Sequence, residues 1–181
     1  MTTSLTLRPF VAADDERLIS WIESPEFLMQ WAGPIFTFPL DTAQLQRYRL
    51  LATGDPPTRY IYTALLGEAP VGHIELSQVD RRQRSATIAR VLIAPAQRGR
   101  GLGGQMVTAA LAVGFDQLGL HRLDLNVFDF NTAALACYAR VGFVTEGRLR
   151  DARRVGDAWW SVITMSMLED EWPAHRPAPA P

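Results

Sequence analysis

Gln97-Arg98-Gly99-Arg100-Gly101-Leu102-Gly103-Gly104 separates two stretches of different periodicity. Ahead of it, Ala86-Thr87-Ile88-Ala89-Arg90-Val91-Leu92-Ile93 is rich in β-branched residues and reads as a strand, with Pro95 closing it. Behind it, Leu102, Met106, Ala109, Ala110 and Val113 recur at three- and four-residue spacing, so a helix starts near Leu102, runs towards Leu118 and is ended by Gly119. A strand, a glycine-rich turn and a helix start therefore follow in that order. Glycines let the backbone adopt positive φ and let a ligand approach where no Cβ stands in the way. Successive N–H groups then point into one concavity, and the helix adds its unpaired amides and the positive end of its dipole. Arg98 and Arg100 put fixed positive charge beside that nest, and a guanidinium fork matches phosphate oxygens. The expected ligand carries a di- or triphosphate.

Two nucleotide motifs are excluded by spacing. A mononucleotide loop needs Gly-Lys-Ser/Thr after its last glycine, whereas Gly103-Gly104-Gln105 stands here. A dinucleotide fingerprint needs Gly-x-Gly-x-x-Gly near the first strand, whereas Gly99-Arg100-Gly101-Leu102-Gly103 has a different spacing and lies in mid-chain. The competing reading, a polar hairpin turn with incidental arginines, does not account for the helix start that follows.

The remaining composition is that of one ordinary globule. The 181 residues are 48% hydrophobic and 20% charged, with a net charge of −1, so there is no general attraction to nucleic acid or to an anionic membrane. Cys137 is the single cysteine, which excludes an intramolecular disulfide and a cysteine metal cluster and fits a reducing compartment. Met1 to Arg8 lacks the pattern of a secretion signal, and the apolar stretch from Leu102 to Phe115 is too short to span a bilayer. A cytoplasmic location is expected.

Along the chain, Ser4 to Pro9 alternates as a first strand, and Asp14-Asp15-Glu16 opens a helix carrying Leu18, Ile19, Trp21 and Ile22. Pro25, Gly33, Pro34 and Pro39 suggest an irregular stretch whose aromatics, Phe27, Trp31, Phe36 and Phe38, either line a pocket or cover the core. Asp41 or Thr42 caps a helix through Leu51. Arg59 to Leu66 and Val71 to Val79 form a hairpin around Gly67-Glu68-Ala69-Pro70, with His73, Glu75 and Ser77 on one face and Ile74 and Leu76 on the other. After the polar turn Asp80 to Arg84 and the glycine turn comes a strand from His121 to Phe128. Asn131 then caps a helix with Leu135, Tyr138 and Val141 that stops at Gly142. Phe143 to Leu149 and Ala158 to Leu168 close the chain as strands around Asp151 to Asp157. Residues 173–181, mostly proline and alanine, are expected to form a disordered tail after a single domain over 1–172.

Three features combined, Val91-Leu92-Ile93-Ala94-Pro95, Arg98-x-x-Gly101-x-Gly103, and Asn131 with Tyr138 and Gly142-Phe143, resemble a GNAT-type N-acetyltransferase. The likeness extends from Leu5 to about Leu168 and is strongest to the bacterial branch of ribosomal-protein N-terminal, polyamine and aminoglycoside acetyltransferases. It implies an α/β fold with a mostly antiparallel sheet of about seven strands, splayed at a bulge between the fourth and fifth, and helices on both faces. It also implies that acetyl-CoA is the cofactor and an amine, of unspecified identity, the acceptor. Arg98, Gly99, Arg100, Gly101, Leu102, Gly103 and Gly104 would hold the pyrophosphate. Val91, Leu92 and Ile93 would offer backbone groups to the pantetheine arm and an oxyanion donor to the thioester. Asn131 would contact the cofactor, and Tyr138 would lie near its sulfur as general acid. Homodimers are common among such proteins, so a homodimer is admitted.

A base for the incoming amine is expected from the residues themselves. Glu75 is the first candidate because it points away from Ile74 and Leu76, and His73 is a second. Arg90 would either orient an acidic group of the substrate or pair with Glu75. Cys137 points about 100° away from Tyr138 along the helix and reads as a core thiol. Trp31 and Phe36 would suit an amine by cation–π contact. The alternative to an enzyme is a non-catalytic acyl-CoA binding or sensing module that kept the nest and lost the chemistry.

Overall fold

The computed structural model describes residues 5–176 of the chain. β1 (Leu5–Pro9), β2 (Tyr60–Leu66), β3 (Ala69–Asp80) and β4 (Ser85–Ile93) pair antiparallel in that order. β4 then pairs parallel to β5 (Arg122–Phe128), and β7 (Ala158–Leu168) and β6 (Val144–Val155) complete a seven-stranded sheet of order β1-β2-β3-β4-β5-β7-β6. This is the mostly antiparallel α/β sheet expected from the sequence. A parallel pair needs a crossover, and here it is α4 (Leu102–Ala112), extended by one π turn over Val113–Gln117. The register puts Gly72 where β3 passes under α4: a Cβ there would lie 2.8 Å from both the Leu92 carbonyl and the Met106 sulfur.

Each face of the sheet buries its own core. On one, Met106, Val107, Ala110 and Leu111 of α4 pack on Ile74, Leu76, Ile88, Leu123 and Leu125, joined by Tyr138 of α5 (Thr132–Val141). On the other, α1 (Asp15–Ser20), α2 (Pro25–Ala32) and α3 (Thr42–Leu50) bring Leu18, Leu28, Trp31, Leu45 and Tyr48 together with Phe10, Ile61 and Leu92.

The expected irregular stretch after Pro25 contains α2. The Ser24 hydroxyl accepts from the Phe27 amide at 3.1 Å and Pro25 occupies the first turn. Proline there starts a helix rather than breaking one, because its missing N–H would have been unpaired in any case. The closing strands are longer than expected, since β6 continues past a register shift between Leu149 and Arg153, and only Gly156 and Asp157 separate it from β7. The first residues assigned to the expected tail, 173–175, are instead ordered. Trp172–His175 form a helical turn, α6, whose Trp172 is buried against Phe115 and donates its indole N–H to Asp116 at 3.0 Å. Residues 177–181 lie outside the described residues.

The cleft arises where β4 departs from regularity. Its ladder with β3 joins His73 to Leu92 and Glu75 to Ala89, so Arg90 and Val91 together stand opposite the single residue Ile74. This is a β-bulge, and Arg90 occupies it with φ +51. The extra residue reverses the face sequence: Ile88 belongs to the core under α4, whereas Leu92, four residues on, belongs to the opposite core. The β4–β5 ladder ends at Ile88 and Leu125, although both strands run on to Ile93 and Phe128. Beyond that point the facing backbone edges have no strand partner.

Candidate active site

A cavity of about 290 Å³ fills the gap between the two strands. One wall is Arg90, Val91, Leu92 and Ile93 of β4, and the other is Asn126, Val127 and Phe128 of β5. Phe27, Gln30 and Trp31 of α2 cover it on one side of the sheet, while Arg98, Asn131 and Tyr138 close it near the glycine turn. Six of the residues singled out in the sequence, Val91, Leu92, Ile93, Arg98, Asn131 and Tyr138, therefore share one cavity.

Gly99, Arg100 and Gly101 make the turn at its mouth. Gly99 has φ +77, and Gly101 has φ +74 and is the N-cap of α4, where it offers no side-chain acceptor. Among the described residues the first α4 amides, on Leu102, Gly103 and Gly104, thus have no capping partner, which is the arrangement an anion completes. Arg98 lies over the Phe27 ring at 5.2 Å and its Nε donates to the Ile93 carbonyl at 3.2 Å, so the guanidinium is anchored beside the cleft. Arg100 donates instead to Gln97. Gly103 and Gly104 face Cys137, each with its Cβ position 3.8 Å from the sulfur, so they allow α4 to approach α5.

On α5, the Asn131 carboxamide oxygen accepts from the Ala134 amide at 3.3 Å, which leaves its NH₂ for a second partner. Tyr138 is 8% exposed, and among the described residues its hydroxyl has no hydrogen-bond partner. Burial pushes its phenol above the usual range, so it stays protonated at neutral pH. Burial likewise raises the Cys137 thiol, and that half-buried sulfur behaves as a core group rather than a nucleophile.

Glu75 does not face the cavity as the expected base would. Its side chain is 0% exposed and is enclosed by Arg59, Arg90 and Tyr48. Arg90 grips it with two donors, one of them Nη2 at 2.8 Å, Arg59 donates to the same oxygen as Nη2, and the Tyr48 hydroxyl donates to the other. Because the one Tyr48 proton goes to Glu75, the phenol oxygen must accept from His73 Nε2, 3.1 Å away. That fixes the His73 tautomer with an unprotonated Nδ1, which has no partner among the described residues. Burial, and then the charge of Arg90, push His73 down to about 3, so the second expected base is a neutral, buried ring. Of the two roles foreseen for Arg90, pairing with Glu75 is observed. Trp31 and Phe36 stack at 5.8 Å, and Trp31 meets the His73 ring edge-on, so both belong to the core and only Trp31 also reaches the cavity. Tyr48 and Arg59 were not singled out in the sequence. Tyr48 follows Gln44 and Leu45 on the buried side of α3, and that spacing was the only signal of its position.

Among the described residues no cluster of His, Cys, Asp and Glu could hold a metal, and no helix is long and apolar enough to cross a membrane. The chain is similar to spermidine N(1)-acetyltransferase of Vibrio cholerae, 30% identical over 102 residues, which is 56% of this chain and 58% of that protein. The aligned part thus spans little more than half of that relative. Aminoglycoside N(6')-acetyltransferase type 1 of Klebsiella pneumoniae is 25% identical over 154 residues, 80% of this chain and 76% of that one. The fold matches the crystal structure of V. cholerae spermidine N-acetyltransferase in complex with CoA and spermine, with a TM-score of 0.82, 24% identity, and coverage of 94% of this chain and 98% of the other. The model of the acetyltransferase (GNAT) family matches residues 25–143, the span that holds α2, the bulged strand, the glycine turn and Tyr138, and the chain belongs to that family.

Proposed function

We propose that the protein moves an acetyl group from acetyl-CoA to a primary amine by direct attack within a ternary complex. The observation that carries this reading is the splay of β4 from β5 with an uncapped helix start at its mouth and an unpartnered phenol inside it. The residues fit the cofactor. The uncapped amides of α4 and the Arg98 guanidinium suit a pyrophosphate, the edge of Val91 and Leu92 that faces β5 suits the amide groups of a pantetheine arm, and the Asn131 NH₂ is free to donate.

Acetyl-CoA supplies the activated acyl carbon, and the amine nitrogen forms the new C–N bond as the C–S bond breaks. The Tyr138 hydroxyl, which lines the cavity and stays protonated at neutral pH, donates its proton to the departing thiolate sulfur. Backbone N–H groups past the bulge are placed to stabilise the oxyanion. Among the described residues neither a carboxylate nor an imidazole lines the cavity, so in this reading the acceptor loses its proton to water. Glu75 is in this reading a positioning residue. Two donors of Arg90 on its carboxylate hold the bulged residue in the left-handed conformation, and the bulge keeps the strands apart.

Calorimetric titration with acetyl-CoA, followed by thiol release over a panel of amines, tests the proposal. Binding with turnover supports it. Binding without turnover of any amine would leave an acyl-CoA binding module, and absence of binding would remove the cofactor reading altogether.

A further inference from the structure

The charges around the cavity differ from what a polyamine needs. Sixteen residues line it, and the charged ones among them are Arg90 and Arg98. No aspartate or glutamate is in the lining, and Asp129, which follows Phe128, is engaged by Arg148 at 2.8 Å. Arg90 of the lining and Arg59 share the single carboxylate of Glu75. Tyr48 and His73 complete that cluster as neutral groups, because burial raises the phenol and lowers the imidazole. One positive charge is left over. Asp14 does not offset it, since that carboxylate already accepts from both Arg8 and Arg17.

We infer that the acceptor is a small primary amine that carries a carboxylate, with the carboxylate seated by Arg90 in the cavity. The inference rests on the acetyl-transfer reading above and narrows its substrate. A guanidinium with an unshared donor is the partner a carboxylate accepts from, whereas a second ammonium group would meet the positive charge of the lining. The volume points to a small molecule. At about 290 Å³ the cavity is at the lower end for ligand sites, and the acyl arm must occupy much of it.

The test compares three amines of one chain length that differ only in the far group: γ-aminobutyrate, n-butylamine and putrescine. With acetyl-CoA saturating, kcat/KM is expected to fall in that order, with about tenfold or more between the first and the last. Arg59→Met removes the surplus charge without altering the lining, and it is expected to narrow the ratio of γ-aminobutyrate to n-butylamine, while Arg59→Lys restores it. If putrescine equals or exceeds γ-aminobutyrate, or if all three stay silent while acetyl-CoA binds, the inference is overturned and acetyl-CoA binding still stands. Absence of calorimetric binding removes both readings together.

Discussion

Replacing Glu75 by glutamine keeps the shape of the side chain and removes its charge. Arg59 and Arg90, 19% and 10% exposed, would then face each other across a neutral amide, and the amide NH₂ would meet a guanidinium at one of the two positions now occupied by an oxygen. Breaking a buried pair by neutralising one partner costs about 3–5 kcal/mol, because the remaining charge stays buried. For a domain of this size each kcal/mol shifts the melting midpoint by about 2–4 °C, so a fall of about 6–20 °C is expected in a thermal melt followed by circular dichroism. Tyr48→Phe strips one donor from the same carboxylate and one acceptor from His73, for a loss of about 1.5–3 kcal/mol. The double variant should lose less than the sum, since both changes act on one network. A general base at this position would behave differently, losing turnover while the protein melted unchanged. If Glu75→Gln melted within about 2 °C of the parent, the carboxylate would not be the centre of a buried charge cluster, and the positioning argument would fail.

Tyr138→Phe should reduce kcat by about a hundredfold or more while leaving the calorimetric affinity for acetyl-CoA unchanged, since the phenol acts on the leaving thiolate rather than in binding. Gly101→Asp forces a β-carbon into a residue with φ +74, at about 1–2 kcal/mol, and sets a carboxylate at the anion site. Nothing lies within 4 Å of the added Cβ, so the fold should survive while the acetyl-CoA Kd rises about tenfold or more, as read by titration. With no carboxylate or imidazole in the cavity lining and His73 held at about 3, log kcat/KM should climb with a slope near one between about pH 6 and 9, following the amine. A plateau near pH 6.5 would reveal an enzyme base. Burial pushes the Asp14 carboxyl up, but Arg8, the Val11 amide and Thr63 outweigh it and hold it well below the usual range. A depressed pKa stabilises above the unfolded value and is lost as pH falls. The urea midpoints of the parent and Asp14→Asn should therefore differ at pH 7 and draw together below about pH 4.

What could be read from the sequence was what short segments decide for themselves. The glycine turn, the Asn131 cap and the stop at Gly142 each depend on residues within a few positions, and all stand where expected. Helix α2 was hidden because Pro25 and Gly33 read as breakers, although here they mark its start and end. The surroundings of Glu75 were illegible for another reason: its partners lie 15, 16 and 27 residues away, and nothing local tells that two arginines will converge on it. The bulge leaves no mark in the residue pattern either. Ile88, Arg90 and Leu92 alternate as in a regular strand, and only the ladder to His73 and Glu75 shows that one residue is extra.

That extra residue joins the buried network to the cavity. A non-glycine residue in the left-handed region is strained by about 1–3 kcal/mol and persists only where its surroundings hold it. The charge-assisted pair between Arg90 and Glu75 is of the size needed to hold it. Without the bulge, Leu92 would turn to the same face as Ile88, and its place among Trp31, Leu45 and Tyr48 in the second core would be empty. β4 could then keep its ladder with β5 beyond Leu125, and the facing backbone edges would pair with each other rather than with a ligand. The carboxylate of Glu75 therefore acts on the site from behind the strand: by fixing the conformation of one arginine it keeps open the gap in which the chemistry is proposed.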